Sequence, residues 1–142
     1  PGPRQRLVSA RTKARKRAMD ILFASDVRGT PIPELLGQEA ERAADEPDRA
    51  ASWRYAREIV LGVIEHADEI DGYIVETARD WTLERMPALD RSLLRVAIRE
   101  LKYNDEIPAA VAITEAVSAA GEYSTDASGK FIHGVLGRIS EQ

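Results

Sequence analysis

The sequence contains no cysteine. Disulfide bridges and thiolate metal sites are therefore excluded, and the absence agrees with a reducing compartment, so we expect a cytoplasmic protein. The chain has only two histidines, His66 and His133, and they lie far apart in the sequence without a two-histidine metal motif. We therefore predict no metal site and no cofactor.

Motifs that carry catalysis are also missing. The sequence has no nucleophile elbow, no phosphate-binding glycine loop and no dinucleotide fingerprint. The neighbouring acids Asp68, Glu69 and Asp71 are better explained as a solvated helix face than as an ion site. We predict no catalytic residues and no enzymatic activity.

Long apolar segments are absent as well. No run approaches the roughly 20 apolar residues of a membrane helix, and the N-terminus lacks the apolar stretch of a signal peptide. Hydrophobic residues make up 44% and charged residues 31% of the 142 residues, a balance typical of one globular domain. We therefore expect no membrane association.

Charge is distributed unevenly along the chain. Residues 1–17 contain seven lysines and arginines and no acid, which leaves 13 bases against 24 acids, a charge of −11, in the remaining 125 residues. A basic segment attracts polyanions, and an acidic body attracts basic proteins. From charge alone, a solubilising basic tail remains the alternative.

Helical periodicity dominates the sequence, and no useful stretch alternates like a strand. Apolar residues recur at i, i+3, i+4 and i+7 in three segments: Leu94, Ala97, Ile98 and Leu101; Ile113, Ala116, Val117 and Ala120; Ile132, Val135, Leu136 and Ile139. Ser9 and Asp90 are predicted N-caps, residues 33–44 and 50–79 are predicted helices, and residues 82–86 a single helical turn.

These patterns predict an all-α fold, a helical bundle of two packed three-helix subdomains. The subdomains are expected at residues 9–79 and 82–140, joined around the turn that precedes Pro87. Residues 1–8 are expected to form a flexible arm or to be foreign to the native protein.

The basic N-terminal helix is the main functional feature. On a helical wheel, Arg15 and Arg17 flank the apolar stripe, and Lys13 and Lys16 lie opposite it. Such a helix can pack on one side while its cations neutralise phosphates. Phe131, which follows Lys130, could stack on an unpaired base, although a core position is an equal alternative.

Six segments resemble, in the same order, motifs of the NusB family. They are the arginine-rich start at 9–23, Glu69-Ile70-Asp71, the turn at 81–86, and the segments 90–95, 107–117 and 130–136. The resemblance covers residues 9 to 140. Thr114 and His133 depart from it, because the family usually has Asn at both positions.

The resemblance implies a fold of two three-helix bundles and a function. NusB proteins are RNA-binding factors of transcription antitermination. They bind the single-stranded boxA sequence of ribosomal-operon transcripts with NusE, a ribosomal protein, and load an antitermination complex onto RNA polymerase. Some form homodimers.

The resemblance also assigns residues to these roles. RNA contacts are expected from Arg11, Lys13, Arg15, Lys16, Arg17, Lys130 and Phe131. Contacts with NusE are expected from Phe23, Glu84 and Asp90.

Two alternatives remain open at this point. The same helical module forms part of a ribosomal-RNA cytosine methyltransferase, although this chain ends at Gln142 with no catalytic domain. The other alternative is a helical bundle that binds only proteins, which a test of RNA binding would distinguish.

Overall fold

A computed structural model of the protein describes residues 2–142, and these form seven α-helices and one 3₁₀ turn, with no strand. The elements in chain order are α1 (Pro3–Arg28), α2 (Ile32–Asp45), α3 (Pro47–Glu65), α4 (Ala67–Thr77), the 3₁₀ turn (Leu83–Arg85), α5 (Ala88–Tyr103), α6 (Ala109–Tyr123) and α7 (Asp126–Ser140). The predicted all-α fold is confirmed. No helix of the described residues is long and apolar enough to span a membrane.

The first helix begins earlier than the sequence analysis predicted. Pro3 is its first residue, which suits the fixed φ of proline, and the Gly2 amide donates to Oε1 of Gln5 at 3.2 Å. Ser9 is therefore inside α1 and not its cap, and residues 3–8 are helical, which corrects the expected arm. The helix ends at Gly29, whose φ of 73° is a left-handed conformation that glycine adopts readily.

The predicted single helix over residues 50–79 is divided in two at His66, which has φ −113° and ψ 25°. The His66 ring stacks on the Tyr103 ring of α5, with centroids 3.7 Å apart and planes 4° from parallel. The Tyr103 hydroxyl donates to Glu69 at 2.9 Å, and burial together with this bond raises the pKa of Tyr103 to about 12. These contacts with α5 accompany a break that sequence periodicity did not indicate.

The chain divides into two compact units, one ending at Leu61 and the other beginning at Gly62. This division lies inside α3, whereas the sequence analysis placed the boundary between residues 79 and 82. In the first unit, α1 packs against α2. Its buried apolar residues include Ala14, Ala18 and Met19 of α1 and Ala56 and Ile59 of α3.

The second unit is built around α5, α6 and α7, which pack against one another, and α4 packs against α5 and α7. The predicted stripe of α7 is fully buried, with no exposed surface at Ile132, Val135, Leu136 and Ile139. Arg95 of α5 holds Asp71 of α4 through two bonds, Nε to Oδ1 at 2.9 Å and Nη2 to Oδ2 at 3.1 Å. This paired geometry fixes α4 against α5.

Candidate nucleic-acid and partner surfaces

Two of the five predicted RNA-contacting cations of α1 are directed toward solvent. The Lys13 side chain is exposed, and that of Lys16 is 37% exposed. Lys16 pairs with Asp20 one turn later at 2.6 Å. An exposed pair at this helical spacing contributes only about 0.3–0.5 kcal/mol, so the contact with Asp20 is weak.

Arg11 and Arg15 lie over an aromatic ring of the same unit. Their guanidinium carbons are 5.5 Å and 6.0 Å from the centroid of the Tyr55 ring on α3. Arg15 is only 9% exposed, so it offers less surface to a phosphate than its position on the helical wheel suggests. The two cation–π contacts instead join α1 to α3.

Arg17 is held by a buried acid. Its Nε lies 3.2 Å from Oε1 of Glu39 on α2, and its side chain is 19% exposed. The same carboxylate binds Arg42 at 3.3 Å and Arg49 at 2.8 Å. Neither Glu39 nor Tyr55 could be predicted from the sequence as a partner of these arginines, because a single acid or tyrosine on a helix carries no pattern that indicates its distant partner.

A second surface lies in the other unit, where two aromatic rings face one cleft. The rings of Trp81 and Phe131 meet edge to face, with centroids 6.3 Å apart. Trp81 is 48% exposed and Phe131 half-buried. The cleft has a volume of about 270 Å³, and its other lining residues are Met86, Pro87, Asp90, Thr125, Ala127 and Ser128. Aromatic walls of this kind can stack on a nucleobase, and the Lys130 side chain next in sequence is exposed.

Asp90 is not at the surface. It is 2% exposed, and its two carboxylate oxygens accept hydrogen bonds from Ser124 at 2.7 Å and Ser128 at 2.9 Å. Because α5 begins at Ala88, Asp90 lies within the first helical turn and is not the N-cap. The predicted N-cap role of Asp90 is therefore wrong, and its carboxylate is bonded to Ser124 at the end of α6 and to Ser128 of α7.

The other two predicted partner residues differ in exposure. Glu84 is exposed on the 3₁₀ turn, and Phe23 is half-buried on α1. Arg91 fixes the turn, because its Nη1 donates to the carbonyl oxygens of Leu83 at 2.7 Å and Met86 at 2.6 Å. Glu84 thus projects from a backbone held on both sides.

A model of the NusB family matches residues 12–141. The chain belongs to the NusB family. It is 56% identical over 134 residues to the transcription antitermination protein NusB of Leifsonia xyli subsp. xyli, with 94% of this chain and 93% of that protein covered. The relative's name agrees with the prediction that the chain is not an enzyme.

Solved NusB structures share this fold. A structure of T. maritima NusB superposes with a TM-score of 0.81 at 31% identity, covering 93% of this chain and 91% of that one. A structure of antitermination factors NusB and NusE in complex with dsRNA matches with a TM-score of 0.79 at 25% identity, covering 94% and 97%.

The two departures from the NusB motifs lie at the surface. Thr114 of α6 and His133 of α7 are both exposed and line one groove, together with Ala110, Ile113, Val117 and Ser118. Replacing the family's usual asparagines at these positions therefore changes a surface groove, and the buried stripe of α7 is unaffected.

The burial of Asp90 can be tested by stability. Asp90→Ala leaves two hydroxyl groups without their acceptor and should lower the free energy of unfolding by about 1–3 kcal/mol, measured by urea denaturation. Glu84→Ala, on the exposed turn, should change it by no more than about 0.5 kcal/mol. Equal stabilities of the two variants would contradict the buried role.

Proposed function

We propose that this chain is a transcription antitermination factor that binds RNA through α1. The observation that carries the proposal is the run of seven cations without an acid at the start of a chain whose net charge is −4. On this helix the Lys13 side chain is exposed and the Lys16 side chain is 37% exposed. The names of the family relatives support the same role.

The partners follow from the family and from the solved complex. The structure of NusB and NusE with dsRNA supports RNA and NusE as partners of this chain. We propose the boxA sequence of ribosomal-operon transcripts as the RNA, and the antitermination complex of RNA polymerase in the cytoplasm as the destination. Formation of a homodimer stays a prediction from the family resemblance.

Binding of RNA by lysines and arginines releases counterions from the RNA backbone, which makes the affinity depend on salt. Each phosphate that a lysine or arginine neutralises changes the slope of log affinity against log salt by about 0.7 for a single strand, against about 0.9 for duplex DNA. The salt slope therefore counts the cations that contact phosphate. It also separates this function from a bundle that binds only proteins, which would show no binding to RNA.

The contribution of α1 is tested by replacing its exposed lysines singly. Lys13→Ala and Lys16→Ala should each make the salt slope shallower by about 0.7 on a fluorescent single-stranded boxA-like RNA. Arg28→Ala is the matched control, because it removes one exposed charge from the far end of the same helix. If all three variants keep the parent slope, α1 is not the RNA-binding element.

Sequence recognition is assigned to the cleft between Trp81 and Phe131. Stacking on an aromatic ring needs an exposed face, and both rings have exposed surface. The buried Asp90 and Ser128 also line the cleft and supply polar atoms beside the apolar walls. An unpaired base held here, with its phosphate near Lys130, would account for the predicted roles of Lys130 and Phe131.

Stacking at Phe131 can be separated from packing by two substitutions. Phe131→Ala should weaken RNA binding by about 1–3 kcal/mol, as loss of a base–aromatic stack does. Phe131→Leu retains apolar volume and should preserve the melting temperature, yet weaken RNA binding nearly as much. If Phe131→Leu binds RNA as the parent does, the ring only packs against Trp81.

We propose that the protein partner, NusE, binds at the exposed acid Glu84. Ribosomal proteins are generally basic, and complementary charge accelerates their encounter with an acidic surface. Glu84 on the fixed turn is the exposed acid among the three predicted contacts, and Phe23 is the apolar one. Asp90 contributes indirectly, because its bonds to Ser124 and Ser128 connect the start of α5 with the end of α6 and the first turn of α7.

Binding of purified NusE tests this surface. Glu84→Gln should slow association and leave dissociation nearly unchanged, as expected for an exposed charge at the edge of an interface. Glu122→Gln, which removes an exposed acid at the end of α6, is the control. Equal association rates for the two variants and the parent, measured by surface binding at low salt, would place NusE elsewhere.

A further inference from the structure

Glu39 is a buried acid surrounded by three arginines. Its side chain is 7% exposed, and its carboxylate oxygens lie 3.2 Å from Arg17, 3.3 Å from Arg42 and 2.8 Å from Arg49. Arg49 also bonds Glu46 at 2.9 Å. Three guanidinium groups therefore face two carboxylates, which leaves one positive charge in excess at this cluster.

The hydrogen-bond donors of the Arg17 guanidinium group are not all paired in this arrangement. It reaches Glu39 through Nε alone, without the paired bonds that make an arginine–carboxylate contact strong. Its Nη1 atom is buried and has no hydrogen-bond partner within residues 2–142. Because an unsatisfied buried donor is unfavourable, another anion that engages this guanidinium would be favoured.

Glu39 does not depend on Arg17. If Arg17 turned away, Arg49 at 2.8 Å and Arg42 at 3.3 Å would still neutralise the carboxylate. Breaking a buried ion pair is costly when it leaves one charge unpaired in the interior. The exchange avoids this cost, because Glu39 keeps two arginine partners.

Arg17 also lies on the side of α1 where the proposed RNA contact begins. It follows Lys13 by four residues, and residues at this spacing are neighbours on one face of a helix. An RNA backbone that binds Lys13 thus passes close to Arg17, whose side chain is 19% exposed.

We propose that Arg17 exchanges Glu39 for an RNA phosphate, and that Glu39 is an internal competitor that weakens RNA binding. The exchange rests on the proposed binding of RNA to α1. Glu39 touches no RNA in this scheme and acts through Arg17 alone. Glu39 therefore determines how much of the positive charge of α1 can bind the RNA backbone.

The competitor role and a purely structural role predict opposite effects of Glu39→Gln. Loss of a structural tie would loosen α1 and weaken RNA binding. Loss of a competitor should tighten binding by about 3- to 10-fold at low salt, even if the melting temperature falls. Glu46→Gln is the matched control, because it makes the same charge change on Arg49 without touching Arg17. If Glu39→Gln binds no more tightly than Glu46→Gln, the proposal is overturned.

The variant Arg17→Ala provides a second test of the exchange, and this test does not depend on whether Glu39→Gln folds. Exchange predicts that this variant makes the salt slope of the parent shallower by about 0.7 on the same labelled single-stranded RNA. It also predicts that Arg17→Ala cancels the gain of Glu39→Gln in the double variant. An unchanged slope would mean that Arg17 stays on Glu39 in the complex, which overturns the exchange.

The two proposals fail separately. If Lys13→Ala and Lys16→Ala reduce the salt slope while Arg17→Ala does not, α1 still binds RNA and only the exchange is wrong. If none of the three reduces it, the proposed function of α1 fails first.

Discussion

The close packing of the alanine stripe of α1 is the constraint on which the candidate RNA surface depends. Ala14 and Ala18 have no exposed surface, so this face of the helix is completely covered. Side chains that flank such a small stripe are drawn into contact, as Arg15 is with Tyr55 and Arg17 with Glu39. Lys13 and Lys16 point away from the stripe and keep exposed surface. The packing of α1 thus leaves Lys13 and Lys16 more exposed than Arg15 and Arg17, which contact residues of other helices.

The sequence predicted the helices well where the pattern was local and long. The spacing of Ile132, Val135, Leu136 and Ile139 determines which face of α7 is buried, and all four residues are buried. Boundaries were predicted less well, since Ser9 and Asp90 are good capping residues in sequence but lie inside helices that start at Pro3 and Ala88. The break at His66 accompanies its stacking on Tyr103, which lies on a different helix. Long-range contacts of this kind leave no periodic trace.

The contacts of single side chains in the candidate site could not be predicted from the sequence either. A helical wheel gives the direction of Arg15 and Arg17 but not what stands beside them. Tyr55 and Glu39 belong to other helices, so the burial of the two arginines could not be derived from α1 alone. Trp81 and Phe131 are far apart in sequence, and their meeting in one cleft is a property of the fold. Residue type alone therefore does not give the exposure of a predicted contact, which depends on residues of other helices.

The acids that give residues 18–142 their negative charge also differ in burial. Net charge counts every carboxylate equally, but Glu39 is occupied by arginines and Asp90 by serine hydroxyls, and both are buried. The exposed acids are the ones that a basic partner can contact directly, because the oxygens of Glu39 and Asp90 are buried and already bonded within the protein. Glu84 is such an exposed acid, and Arg91 holds the turn that carries it. The exposed acidic surface is therefore smaller than the charge of the sequence suggests, because it includes only the acids that the fold does not bury and bond.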